Sequence, residues 1–141
     1  MSHTALLQNV TLFSPGHPLH NRSVEIVIKD GVISALGEGL GLAASELIDG
    51  QGAYVSMGWM DPFGVCPDPG EPWKETLLSY SEAAQKGGFT QVAALCGSNP
   101  KPDNESVIAQ VNGIGKGLPA EILPLGYSSV GGEGKEMAEM Y

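Results

Sequence analysis

The chain has 141 residues, 42% of them hydrophobic, and carries 16 acidic against 7 basic side chains for a formal net charge of −9. This length suffices for one domain with a real core and falls short of the roughly 250 residues of a complete (β/α)8 barrel, and the apolar content argues against a disordered chain. The acidic balance argues against nucleic acid or an anionic membrane as a partner, because both select a basic face.

Residues 1–52 read as a small all-β unit. Residues 5–13 (ALLQNVTLF) form a strand, and the Pro- and Gly-containing stretch 14–21 a turn. Val24, Ile26 and Ile28 alternate with Glu25 and Lys29, the period of a half-buried strand. Asp30-Gly31 joins this strand to a second apolar run at 32–36. An Asp-Gly pair in that setting predicts a hairpin, because both turn residues need positive φ. A further short strand is expected at 46–49.

Residues 53–141 change rhythm. The apolar run 53–60 (AYVSMGWM) predicts one buried strand, with Trp59 and Met60 in the core, and 61–72 reads as a loop. Residues 73–86 have helical spacing, with Leu77, Tyr80 and Ala84 on one face and Gly87-Gly88 ending the helix. A strand is expected at 89–96. Asp103 or Asn104 caps a helix to about Val111, with Val107, Ile108 and Val111 as its apolar stripe. A third strand follows at 121–127, weakened by Pro124, and a third helix begins at Glu133. Strands alternating with helices predict βαβ units and a parallel sheet.

The scarce residue types narrow the chemistry. His3, His17 and His20 all lie in the first twenty residues, and Arg22 is the sole arginine. A site built later in the chain works without imidazole, the commonest metal ligand and general base, and without guanidinium. The two cysteines, Cys66 and Cys96, make no disulfide framework. The N-terminus lacks the basic and apolar regions of a signal peptide, and no apolar run approaches a membrane span. A soluble cytoplasmic protein is the expectation.

Several spaced blocks together carry a family resemblance. The blocks Leu6-Leu7-Gln8-Asn9-Val10, Val27-Ile28-Lys29-Asp30-Gly31-Val32-Ile33 and Ile48-Asp49-Gly50-Gln51-Gly52 resemble the N-terminal β-unit of the amidohydrolase superfamily. Tyr54 to Asp61 is similar to that superfamily's first barrel strand. Asp68-Pro69-Gly70 with Lys74-Glu75-Thr76, and Gly87-Gly88-Phe89-Thr90, narrow the likeness to the dihydroorotase family. The resemblance covers nearly the whole chain but only about the N-terminal third of a full-length member. It implies an α/β architecture: β-sandwich-like strands in residues 1–52, then the first βα units of an incomplete TIM (β/α)8 barrel in residues 53–141.

The same resemblance locates departures. Family enzymes carry Asp-x-His-x-His at the end of the first strand, and the two histidines bind a zinc ion that activates water. Here the segment reads Asp61-Pro62-Phe63-Gly64-Val65, so Phe63 and Val65 stand where the histidines would. Pro67 replaces a substrate-gripping arginine. In the block Leu95-Cys96-Gly97-Ser98-Asn99-Pro100, Gly97 replaces a substrate-binding asparagine and Asn99 retains the second one. This pattern resembles inactive dihydroorotase homologues that accompany aspartate transcarbamoylase. It leaves Asn99 as the one substrate-binding position, with no catalytic residue, no metal ligand and no cofactor expected.

Other candidates have structural alternatives. His17 and His20 make a His-x-x-His spacing, conceivable as a metal pair, otherwise an exposed turn. Cys66 and Cys96 are expected just past the ends of neighbouring strands, as a soft-metal or redox pair or as small apolar filler. Asp61, Asp68, Glu71 and Glu75 surround the first loop and suit a divalent cation, or else act locally, Glu75 at a helix start and Asp68 before a turn. The glycines at 37, 39 and 41 do not fit a phosphate-loop spacing. Those at 131, 132 and 134 precede an expected helix start, where backbone N–H groups bind anions.

Three readings of function follow. The first is a non-catalytic dihydroorotase-like partner of aspartate transcarbamoylase in pyrimidine biosynthesis. The alternative is an active zinc-dependent cyclic amidohydrolase whose remaining ligands lie in a missing C-terminal part. A binding module unrelated to pyrimidines is the third reading. Since a partial parallel sheet exposes strand edges, self-association or membership of a longer protein is expected.

Overall fold

The computed structural model describes residues 3–97 and 99–139. Two compact units divide between Met57 and Gly58. Among the described residues no helix is long and apolar enough to cross a membrane.

The first unit is a five-stranded sheet built on β1 (Thr4–Phe13). β2 (Ser23–Lys29) pairs antiparallel with β1, and β3 (Val32–Gly37) antiparallel with β2. On the other side of β1, β4 (Glu46–Asp49) pairs parallel with its first half and β5 (Tyr54–Ser56) parallel with its second half. The Asp30-Gly31 hairpin forms as expected, with φ of 50° and 81° at its two turn residues. Val10, Leu12, Val24 and Ile26 are the core on one face, with Leu7, Leu19, Ile28, Leu36 and Val55 packed against them.

The second unit is a three-stranded parallel sheet in the order β6 (Trp59–Cys66), β7 (Phe89–Cys96), β8 (Glu121–Leu125). The helices α1 (Leu77–Lys86) and α2 (Glu105–Gly115) connect the strands. Leu77 of α1 and Val111 of α2 join Cys66, Val92, Ala94, Cys96 and Ile122 in one buried cluster, so both helices cover the same face of the sheet. This is the mixed α/β architecture expected of a β-rich unit followed by βα repeats.

Four local expectations are corrected. The run 53–60 is divided between two sheets, ending β5 and beginning β6, and this places the boundary at Gly58 instead of after Gly52. Trp59 and Met60 are exposed, because the helices pack over Gly64 and Cys66 and leave the start of β6 bare. The loop 61–72 is a strand as far as Cys66. Pro62 is tolerated there because β6 is an edge strand with an irregular register between Asp61 and Gly64.

The expected helix at 73 starts only at Leu77. Thr76 is the N-cap, its hydroxyl accepting the Ser79 N–H while Ser79 reaches back to the Thr76 N–H. Trp73 is exposed outside it. Of the two residues expected as the cap of α2, Asn104 and not Asp103 takes the place, and the helix runs on to Gly115. The stripe Val107, Val111 and Gly115 is buried, and the last of these lets the helix sit against the sheet: a Cβ at 115 would meet the backbone oxygen of Ile122.

The described part of the expected third helix is absent. Residues 130–132 make a single 3₁₀ turn, and the chain then runs back, bridging Ser129 to Met137 and Asn104 to Glu139; residues 140 and 141 lie outside the described residues. Positive φ at Gly131, Gly132 and Gly134 turns the chain instead of starting a helix.

That turn is tied down by charge. Lys101 Nζ donates to the Gly131 carbonyl at 2.7 Å, and the Asp103 carboxylate accepts the Gly131 N–H at 2.8 Å. The Gly131 hydrogen bond, above all, holds the Asp103 carboxyl below its ordinary 3.8. At Asp49 the Gln51 N–H and then the Asn9 amide have the same effect. A carboxylate with a lowered folded pKa contributes stability that is complete above its unfolded value and lost as pH falls through the folded one. The thermal midpoint is therefore expected to hold on acidification to about pH 4 and to fall below it. An Asp103→Asn variant should show a shallower acid decline, and an unchanged decline would remove Asp103 from the account.

Candidate functional site at the ends of two parallel strands

The C-terminal ends of β6 and β7 lie side by side and hold the segments singled out above. Beyond the strands, the Gly97 N–H donates to the Cys66 carbonyl at 3.0 Å and the Asn99 N–H to the Pro69 carbonyl at 3.4 Å. The loops after the two strands are thus joined through backbone. The Asp68–Pro69 and Asn99–Pro100 peptides are both cis.

Side-chain direction alternates along β6. Gly64 and Cys66 face the helices: a Cβ at 64 would run into the Tyr80 hydroxyl, and Cys66 is in the core. Phe63 and Val65 stand on the opposite face, 65% and 59% exposed. In a barrel with an outer ring of helices that face is the interior, and chemistry sits at the strands' C-terminal ends. The two side chains placed for such chemistry are hydrocarbon, with no lone pair to offer a metal.

The neighbouring carboxylates do not supply what these two lack. Asp61 accepts the Phe63 N–H at 3.1 Å, closing a local turn. Asp68 accepts the Leu77 N–H at 2.9 Å and so serves the start of α1. Glu71 pairs with Lys74 at 2.8 Å. Glu75 precedes the Thr76 cap instead of lying in the first helical turn. Among the described residues no group of three or more His, Cys, Asp or Glu is placed to hold a metal ion. The residues present therefore do not fit a zinc centre of the kind the resemblance implies.

The remaining candidates separate in space. His17 and His20 sit in the turn before β2, where each Nδ1 accepts a backbone N–H, from Leu19 and Ser14 respectively, both at 3.1 Å. His20 also meets the Phe13 ring edge-on at 5.4 Å. The Gly131 N–H that an anion would need is given to Asp103. Asn99 is exposed. A cleft of about 250 Å³ near Asp68, Leu77, Leu78, Gln110, Ile114 and Leu118 lies on the helix side, away from Phe63 and Val65.

One feature was missed by sequence reasoning, and the place of one expected pair is refined. Gly97 has a φ of 94°, and a Cβ there would lie 2.9 Å from the Pro100 carbonyl oxygen. The backbone at the position of the missing asparagine has thus closed around hydrogen. Cys66 and Cys96 are not past their strands but are the last residues of them, opposite one another in register and buried on the helix face. The Cys96 thiol donates to Cys66, which lowers the Cys66 pKa and, with burial, raises that of Cys96. The glycine at 97 and the matching positions of 66 and 96 at the ends of their apolar runs were the available signals.

Comparison with known proteins supplies the class. No protein-family model matches the chain. The fold matches an L-hydantoinase (dihydropyrimidinase) from Arthrobacter aurescens with a TM-score of 0.75 at 21% identity, covering 93% of this chain and 29% of that one. A dihydroorotase crystal structure matches with a TM-score of 0.59 at 20% identity, over 89% and 31% of the two chains. The fold is therefore shared with part of each of these two proteins.

Sequence similarity narrows the class. The dihydroorotase of Ruminiclostridium cellulolyticum is 35% identical over 136 residues, 92% of this chain and 32% of the relative. That of Thermoanaerobacter sp. is 35% identical over 120 residues, 84% and 28%, and that of Aquifex aeolicus 29% over 137 residues, 96% and 32%. The chain belongs to the dihydroorotase family, and it spans about a third of the length of the curated relatives it matches.

Proposed function

We propose that this chain is a dihydroorotase-like protein of pyrimidine biosynthesis that is non-catalytic and acts as a structural partner of aspartate transcarbamoylase. One observation carries the loss of catalysis: Phe63 and Val65 occupy the face away from the helices at the end of β6, where the resemblance calls for two zinc-binding histidines. A catalytic zinc site needs three protein ligands and an open position for water, and a hydrocarbon side chain meets neither need. Pro67 and the closed backbone at Gly97 remove two substrate contacts from the same loops. Meanwhile the supporting structure is intact: parallel register, the capping box of α1 and the Asn104 cap of α2. Retained scaffold with altered ligand positions is what a structural role preserves. The partnership is supported by the resemblance to inactive homologues that accompany the transcarbamoylase.

The test is made on the protein purified from its own source. The expected result is co-elution with aspartate transcarbamoylase, zinc far below one ion per chain, and dihydroorotate hydrolysis no faster than buffer. Stoichiometric zinc together with dihydroorotate turnover would establish the active alternative. Elution as a self-associated species without the transcarbamoylase would assign the exposed strand edges to copies of this chain and overturn the partnership.

A further inference from the structure

We propose that Cys66 and Cys96 are a modification site, forming an intramolecular disulfide on exposure to a peroxide, with Cys66 as the attacking sulfur and Cys96 as the resolving one. The inference stands on register. The two residues are direct partners at the ends of adjacent parallel strands, and neighbouring strands lie about 4.8 Å apart. That spacing falls within the Cα separation of roughly 4.4–6.8 Å that disulfides span. Register partners project to the same face, and both cysteines belong to the same buried cluster. Both are free thiols. Just past them the Gly97 N–H donates to the Cys66 carbonyl at 3.0 Å, so the two strand ends are held side by side at the level of the thiols.

The direction of the chemistry follows from the contact between the thiols. The Cys96 S–H donates to Cys66 and favours the thiolate there, while burial and the accepting sulfur keep Cys96 protonated. Cys66 attacks one peroxide oxygen, the O–O bond breaks, and Cys66 becomes a sulfenic acid with release of water. The Cys96 sulfur then attacks the Cys66 sulfur, the S–O bond breaks, and the departing hydroxyl leaves as water with the Cys96 proton. Two thiols and one hydrogen peroxide give one disulfide and two waters, the sulfurs losing the two electrons that the peroxide gains. A soft metal on the same pair fits less well. Two thiolates would stay anionic among Val92, Ala94 and Ile122, close to the Asp68 carboxylate, whereas the disulfide is neutral. Burial makes access the slow step.

The folded protein is treated with hydrogen peroxide over hours, then unfolded, alkylated and digested, with circular dichroism recorded before unfolding. The expected result is a fall from two alkylatable thiols per chain to near zero, one linked Cys66–Cys96 peptide pair, and a monomeric chain on a non-reducing gel. A Cys96→Ser variant should accumulate dimedone-trapped sulfenic acid at Cys66. Full alkylation of both thiols after peroxide, links between chains only, or oxidation of Cys96 alone would each overturn the proposal, and the wild-type arm decides it even if the variant does not fold.

Discussion

Replacing Ile122 with alanine is expected to destabilise the second unit by about 2–5 kcal/mol, the usual loss when a fully buried isoleucine leaves a cavity. Ile122 is 0% exposed near the start of β8. It packs in the cluster that joins all three strands to α1 and α2. Its backbone oxygen also lies against Gly115, so α2 is held close and has little freedom to collapse into the space. Both tryptophans, Trp59 and Trp73, lie in this unit, so urea unfolding followed by tryptophan fluorescence reports on it selectively. The midpoint should fall with the slope unchanged. A loss under about 1 kcal/mol would mean that the cluster is not the stabilising core.

Ser81→Ala is expected to cost about 2–4 kcal/mol, although it removes a single oxygen. Ser81 is fully buried on α1. Its hydroxyl donates to the Ala120 carbonyl and accepts the Ala120 N–H, both at 2.8 Å. Ala120 is itself 0% exposed, one residue before β8. Alanine at 81 leaves both backbone groups buried without a partner, and each orphaned neutral group costs on the order of 1–3 kcal/mol. The same fluorescence titration measures this. A change within about 0.5 kcal/mol, the range of an ordinary surface substitution, would show that water or local movement satisfies Ala120.

These two residues differ in how far the sequence announces them. Ile122 sits in an apolar run that reads as a strand, so its burial follows from pattern. Ser81 is a polar residue in an amphipathic helix, and nothing local distinguishes it from Ser79, which completes the Thr76 capping box of the same helix. Its role exists only because the approach to β8 brings Ala120 under α1. The same division applies at the candidate site. The absence of ligands at 63 and 65 is visible in the residue types. That both side chains share the face away from the helices, and that Asp61, Asp68 and Glu71 are engaged locally, depends on how β6 is seated.

Interactions that close within a few residues are legible in the sequence. The Asp30-Gly31 turn needs positive φ at both positions and has it; the Asn104 cap and the faces of both helices follow from spacing. Local pattern misleads where the deciding partner is distant. Residues 53–60 look like one strand because apolar content does not say which sheet it pairs with. Pro62 looks like loop because its tolerance depends on β6 being an edge. The segment after Gly134 looks helical, but its bridges to Ser128–Ser129 and Asn104 take its backbone groups first.

The sequence by itself therefore determined the alternation of strands and helices, the hairpin and caps, and the absence of donor atoms at 63 and 65, since each depends on residue identity and near neighbours. Only the tertiary structure decided the division of residues 53–60 between two sheets, the buried Ser81–Ala120 pair, the closed backbone at Gly97 and the pairing of Cys66 with Cys96. These rest on register and on contacts between residues far apart in the chain, and a one-residue change of register would point each of those strand side chains to the other face.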